Sequence, residues 1–126
     1  MSKLIINTLN APAPIGPYSQ AVKLGNLLFV SGQVALTTGS NEFVNNSIAE
    51  ETTQVMQNLQ SILTAAGMDF SNVVKSTIFL SDMDLFGKVN EIYAGFFTGD
   101  FPARETVAVK GLPKNANVEI SVIASL

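Results

Sequence analysis

At 126 residues and 13.4 kDa the chain is expected to form one domain over residues 1–126, and 47% hydrophobic against 13% charged residues excludes a disordered or solvating chain. A net charge of -3 and a pI near 4.7, with seven cations spread thinly, lack the electrostatic footprint of a nucleic-acid binder. The absence of cysteine and histidine removes disulfides, thiol nucleophiles, Ser-His-Asp triads and His- or Cys-ligated zinc, leaving carboxylate, hydroxyl, lysine and arginine chemistry.

The amino end meets a polar Asn7 too soon for a secretory segment, which points to a cytoplasmic protein. The longest apolar run, Leu27 to Val30, is far below the ~18 residues of a membrane span. Strands are expected at 3–7, 18–24 and 27–33, with Gly25-Asn26 as the hairpin turn. Between the first two, Ala11 to Pro17 holds three of the five prolines and should present Tyr18 from a stiff loop. Ser47 and Glu50 match a capping box, and Val55, Met56, Leu59, Ile62, Leu63 and Ala66 form one helical stripe ended by Gly67. A strand at 73–80 precedes a second helix, capped by Asp82 or Asp84, whose stripe from Leu85 to Phe97 reaches Gly99. The carboxylates of Asp82 and Asp84 are assigned to capping and not to a metal. Strands at 104–110 and 118–125 close the order βββαβαββ.

Two helices cover one face of a six-stranded mixed sheet in an α+β fold, so the second face must be polar or covered from outside. The strand 27–33 carries Leu27 and Phe29 on one side and Leu28 and Val30 on the other, which points to a homo-oligomer packing sheet against sheet.

Arg104, the sole arginine, follows Phe101-Pro102-Ala103 at the start of a strand. It serves either a surface salt bridge or a bidentate carboxylate clamp that lysine cannot reproduce. Glu119 alternates with the core positions Val118 and Ile120. It is either a solvated edge residue or, buried at an interface, a carboxyl whose raised pKa suits it to acid–base work. Ser31-Gly32-Gln33 ends a strand where a ligand could approach the backbone, or where the strand simply bends.

The segments Ile15-Gly16-Pro17-Tyr18-Ser19-Gln20-Ala21, Val30-Ser31-Gly32-Gln33, Phe101-Pro102-Ala103-Arg104, Leu112-Pro113 and Val118-Glu119-Ile120 resemble, in order and spacing, the reactive intermediate deaminase (Rid, YjgF-type) family. The resemblance implies a chorismate-mutase-like fold, a homotrimer with a central barrel, and ligand clefts between subunits. It implies cofactor-independent hydrolysis of 2-imino acids derived from 2-aminoacrylate and its homologue to 2-keto acids and ammonia. By the same resemblance Arg104 would grip the substrate carboxylate and Glu119 would activate water and return a proton to nitrogen. Tyr18, Ser31, Gly32 and Asn90 match cleft positions, Thr106 stands where many relatives carry cysteine, and Phe86 or Tyr93 would wall the pocket or sit in the core. The stretch 97–101 is shorter than is usual in the family. A non-catalytic trimeric binding module that senses 2-keto acids or related carboxylates is the competing reading. RNA cleavage, also linked with the family, is disfavoured by acidity and the lack of histidine.

Overall fold

The computed structural model describes residues 2–126. Six strands, β1 Leu4–Ile6, β2 Ala21–Leu24, β3 Leu27–Gln33, β4 Val73–Leu80, β5 Ala103–Ala108 and β6 Val118–Ser125, form one sheet in the order β1-β2-β3-β6-β4-β5. All neighbours are antiparallel except β4 and β5, so the sheet is mixed as expected. Helices α1 Ile48–Ala65 and α2 Phe86–Ala94 join the same core as the inward residues of β3, β4 and β6. Among the described residues no helix is long and apolar enough to cross a membrane.

The stripe of α1 puts more residues into this core than any other single element. Val55, Met56, Leu59, Ile62 and Leu63 are all fully buried, each stabilising by about 1.5–3 kcal/mol. Ser47 caps the helix by accepting from the Glu50 amide at 3.1 Å, and Gly67 takes a φ of 75° just beyond the C-terminal end. The reciprocal box forms instead at Asp69 and Asn72, around the short 3-10 turn Phe70–Asn72.

Helix α2 stops earlier than its apolar stripe suggests. It ends at Ala94, and Phe96 and Phe97 continue through tighter bonds to the carbonyls of Tyr93 and Ala94. The periodicity at 96 and 97 reports packing, since both rings contact Phe70 at centroid distances of 5.6 and 5.3 Å. Asp82 caps the 3-10 turn Met83–Leu85 through the Asp84 amide, while α2 itself begins at Phe86, with Leu85 at its N-cap and no side-chain cap. The short 97–101 connection is closed by Gly99 and Asp100, both at positive φ.

Strand β2 begins at Ala21, not at residue 18. Just before it the chain bows toward the loop: Gln20 turns inward, and the carbonyls of Ser19 and Gln20 accept from the Ser31 hydroxyl and amide. The opposite strand is bulged there. Val30 pairs with Val122 and Gln33 with Ile120, so Ser31 and Gly32 together face the single residue Ser121.

The second sheet face is open and carries an apolar patch. Ile5, Val22, Phe29 and Ile123 form one cross-strand row on it, and Leu24, Leu27 and Val107 are also exposed. Lys75 and Glu105 pair across this face at 2.9 Å, which holds the Glu105 carboxyl below the usual range.

Candidate functional site

Register decides which site residues can meet. In β4, Ser76, Ile78 and Leu80 point into the core, so Lys75, Thr77 and Phe79 point to the open face. Arg104 pairs with Ser76 and Thr106 with Ile78, which puts both on the helix side. Glu119 pairs with Phe79, on the open side. Arg104 and Glu119 therefore lie on opposite faces, on strands about 10 Å apart with β4 between them, and their partners on β4 stand three residues apart along it.

On the helix side, a cavity of about 400 Å³ is lined by Asn90, Tyr93, Ala94, Phe101, Pro102 and Arg104. Positions 86, 90 and 93 fall on one side of α2 by helical spacing. The Asn90 amide oxygen accepts from Arg104 Nη1 at 2.7 Å, and the guanidinium carbon lies 5.5 and 5.2 Å from the ring centroids of Phe86 and Tyr93. Among the described residues Arg104 has no acidic partner. A planar cation held by an amide and two rings, without a counter-ion, suits a carboxylate ligand. Tyr93 is both core and wall: its ring is buried, and burial raises its hydroxyl pKa above the ordinary value.

On the open side, a cavity of about 330 Å³ brings Tyr18, Ser31, Gly32 and Glu119 together, with Ile15, Leu36 and Pro113 among its apolar walls. Burial raises the Glu119 carboxyl above the usual carboxylate range, and among the described residues nothing donates to it or pairs with it. Gly32 makes room for it: a Cβ at that position would stand 2.8 Å from Glu119 Cδ. The Ser31 hydroxyl is committed as donor to the Ser19 carbonyl at 2.6 Å, so toward a ligand it offers lone pairs. The Tyr18 hydroxyl accepts from the Ile15 amide at 3.3 Å, which folds the ring against the proline loop.

Two groups that sequence reasoning left without a role shape this cavity. Gln20, almost wholly buried, donates to the carbonyls of Thr8, Ala11 and Pro12 and accepts from the Thr8 amide. It ties the proline loop to β2. Glu51, fully buried on α1, accepts from the Asn117 amide at 2.7 Å and side chain at 2.9 Å, fixing the entry to β6 two residues before Glu119. Gln20 lies inside the stretch 18–24 expected as strand, and its inward turn leaves no mark in the sequence. Glu51 carries no sequence signal, because its partner is 66 residues away.

Thr106 lines neither cavity. Its Oγ1 is sealed from solvent without a partner, and a buried unsatisfied hydroxyl is a cost. Thr106→Val keeps the shape and is expected to stabilise the fold by about 1 kcal/mol in urea denaturation at equal protein concentration. A lower midpoint would show that the hydroxyl has a partner after all. Among the described residues no group of acidic side chains could hold a metal ion.

The Endoribonuclease L-PSP family model matches residues 8–126. The mouse 2-iminobutanoate/2-iminopropanoate deaminase is 50% identical over 120 residues, covering 95% of this chain and 89% of its own. The human protein of the same name is 46% identical over 127 residues, covering 98% and 93%. Among solved structures, a member of the conserved Rid protein family from Yersinia pestis superposes with a TM-score of 0.96 at 44% identity, over 99% of this chain and 100% of that one. E. coli TdcF with bound serine gives 0.94 at 35%, over 98% of each.

Proposed function

The chain belongs to the Endoribonuclease L-PSP family, which comprises the YjgF/Rid proteins, and from that premise we propose that it hydrolyses 2-imino acids to 2-keto acids and ammonia. The observation that carries the reading is the pairing of a pre-oriented arginine without a counter-ion and a carboxyl held above its usual pKa by burial. An iminium carbon is already electrophilic, so the chain has to fix the carboxylate and place water. Arg104 grips the substrate carboxylate. Glu119 takes a proton from water as its oxygen bonds to C2, and then returns the proton to the nitrogen of the tetrahedral adduct. As the C–N bond breaks and ammonia leaves, Glu119, again a carboxylate, takes the proton of the remaining hydroxyl, which becomes the keto oxygen, and passes that proton to the departing ammonia as ammonium. Neither step calls for a cofactor or a metal.

Because the two groups lie on opposite faces, a three- or four-carbon acid reaches both only if a second copy supplies one of them. The open apolar face is the surface for that contact. The assembly proposed is a homotrimer with sheets around a central barrel, each cleft taking the Arg104 cavity of one copy and the Glu119 cavity of its neighbour. Gly32 completes the polar lining on the Glu119 side.

The test couples a pyridoxal-phosphate dehydratase, which releases 2-aminoacrylate from serine, to this protein and follows the imine signal. Decay well above the spontaneous rate is expected, with pyruvate and ammonia in equal amounts. Decay at the spontaneous rate overturns the reading. The second activity in the family's name, RNA cleavage, is disfavoured by a net charge of -3 and a chain without histidine.

A further inference from the structure

The carboxylate clamp proposed for Arg104 depends on the orientation of its guanidinium, and one buried contact, made beside the guanidinium, fixes one of the two rings that flank it. The Tyr93 hydroxyl and Ser76 Oγ are hydrogen-bonded at 2.8 Å. Both residues are buried, Ser76 completely and Tyr93 with 3% exposure. Ser76 is also the register partner of Arg104 across β4 and β5. The contacts therefore close a ring: the Arg104 backbone, the neighbouring Ser76, the Tyr93 hydroxyl, the Tyr93 ring, and the guanidinium 5.2 Å from its centroid.

Packing alone does not call for this hydroxyl. The Tyr93 ring already contacts Phe97 at a centroid distance of 4.8 Å, and a phenylalanine would fill the same space. A buried hydroxyl pair contributes little net stability, yet leaving either member alone is costly. What the pair adds is a second fixed point. The ring is held at Cβ by the helix and at its far end by β4, and cannot swing beneath Arg104. We infer that Tyr93 and Ser76 are positioning residues, which set the plane of the Arg104 guanidinium through the Tyr93 ring. The inference rests on the clamp role proposed above.

Removing the pair together separates positioning from folding. Tyr93→Phe and Ser76→Ala each strand the other hydroxyl and are expected to lower Tm, while the double variant strands none and should regain most of the loss. If the contact were only structural, substrate binding would recover with Tm. The expected result is that it does not: in the double variant KM for the imino acid and Kd for pyruvate stay raised by about tenfold, with kcat within about twofold of the parent. Arg104 is the only arginine, so a ¹⁵N spectrum holds a single arginine Nε–H signal, which should lose order in the double variant. Recovery of KM and Kd with Tm, or an arginine signal as ordered as the parent's, overturns the inference. A parent that neither turns over imine nor binds pyruvate overturns the clamp reading instead, and the arginine signal then decides the positioning on its own.

Discussion

Two variants that are each inactive, Arg104→Ala and Glu119→Gln, are expected to recover activity when refolded or expressed together. Each alone should lose about 10²-fold or more, one through an unanchored substrate and the other through missing proton transfer. In a mixed assembly, some clefts take an intact Arg104 from the Glu119→Gln copy and an intact Glu119 from the Arg104→Ala copy. Random one-to-one mixing gives about a quarter of the clefts both groups, so about a quarter of parental activity is expected. The measurement is the imine-decay rate of the co-refolded mixture against the two proteins simply combined. No recovery would mean that both groups act from one chain, against the register that puts Arg104 beside Ser76 and Glu119 beside Phe79.

Glu119→Gln should also separate enzyme from sensor, through opposite effects on turnover and stability. Glutamine keeps the shape but moves no proton. Turnover should fall by about 10²- to 10⁴-fold in kcat, while pyruvate still binds, and more tightly once the like charge is gone. Full retained turnover would return Glu119 to a structural role, with water held by backbone near Gly32 and Thr106. Burial raises the folded pKa of Glu119, so ionising it costs the folded chain. That cost is absent below the pKa of an unfolded glutamate, about 4.3, and grows as pH rises through the folded value. The variant should therefore be more stable than the parent near pH 8 and no more stable near about pH 4. The acid limb of parental kcat/KM should lie above the ordinary carboxylate range and be absent in the variant.

The order of strands and helices was legible because local patterns carry it. The stripe from Val55 to Leu63, the turn glycine at 25 with φ 60°, and the alternation from Val118 to Ala124 each needed only neighbours in sequence. The site was half legible. Arg104 and Glu119 stood out as chemistry, and the uncovered sheet face pointed to a second copy. Their placement on opposite faces did not follow from either residue, because it depends on the pairing of β4 with both β5 and β6. Asn90, Phe86 and Tyr93 converge on Arg104 only once α2 lies over that edge of the sheet, and the inward turn of Gln20 shortens β2 in a way that strand propensity could not register.

The extra residue in β3 has a meaning for descent. Deleting one residue between Val30 and Gln33 would give regular pairing with β6 and leave Leu28, Val30 and Gln33 on the sides they already occupy. The core would scarcely register the loss. The niche beside Glu119 would vanish, along with either the hydroxyl at 31 or the side-chain-free position at 32. A descendant that gave up the chemistry and kept the fold could thus record the change as a one-residue gap in an otherwise intact strand, a mark that comparing residue identities column by column would pass over.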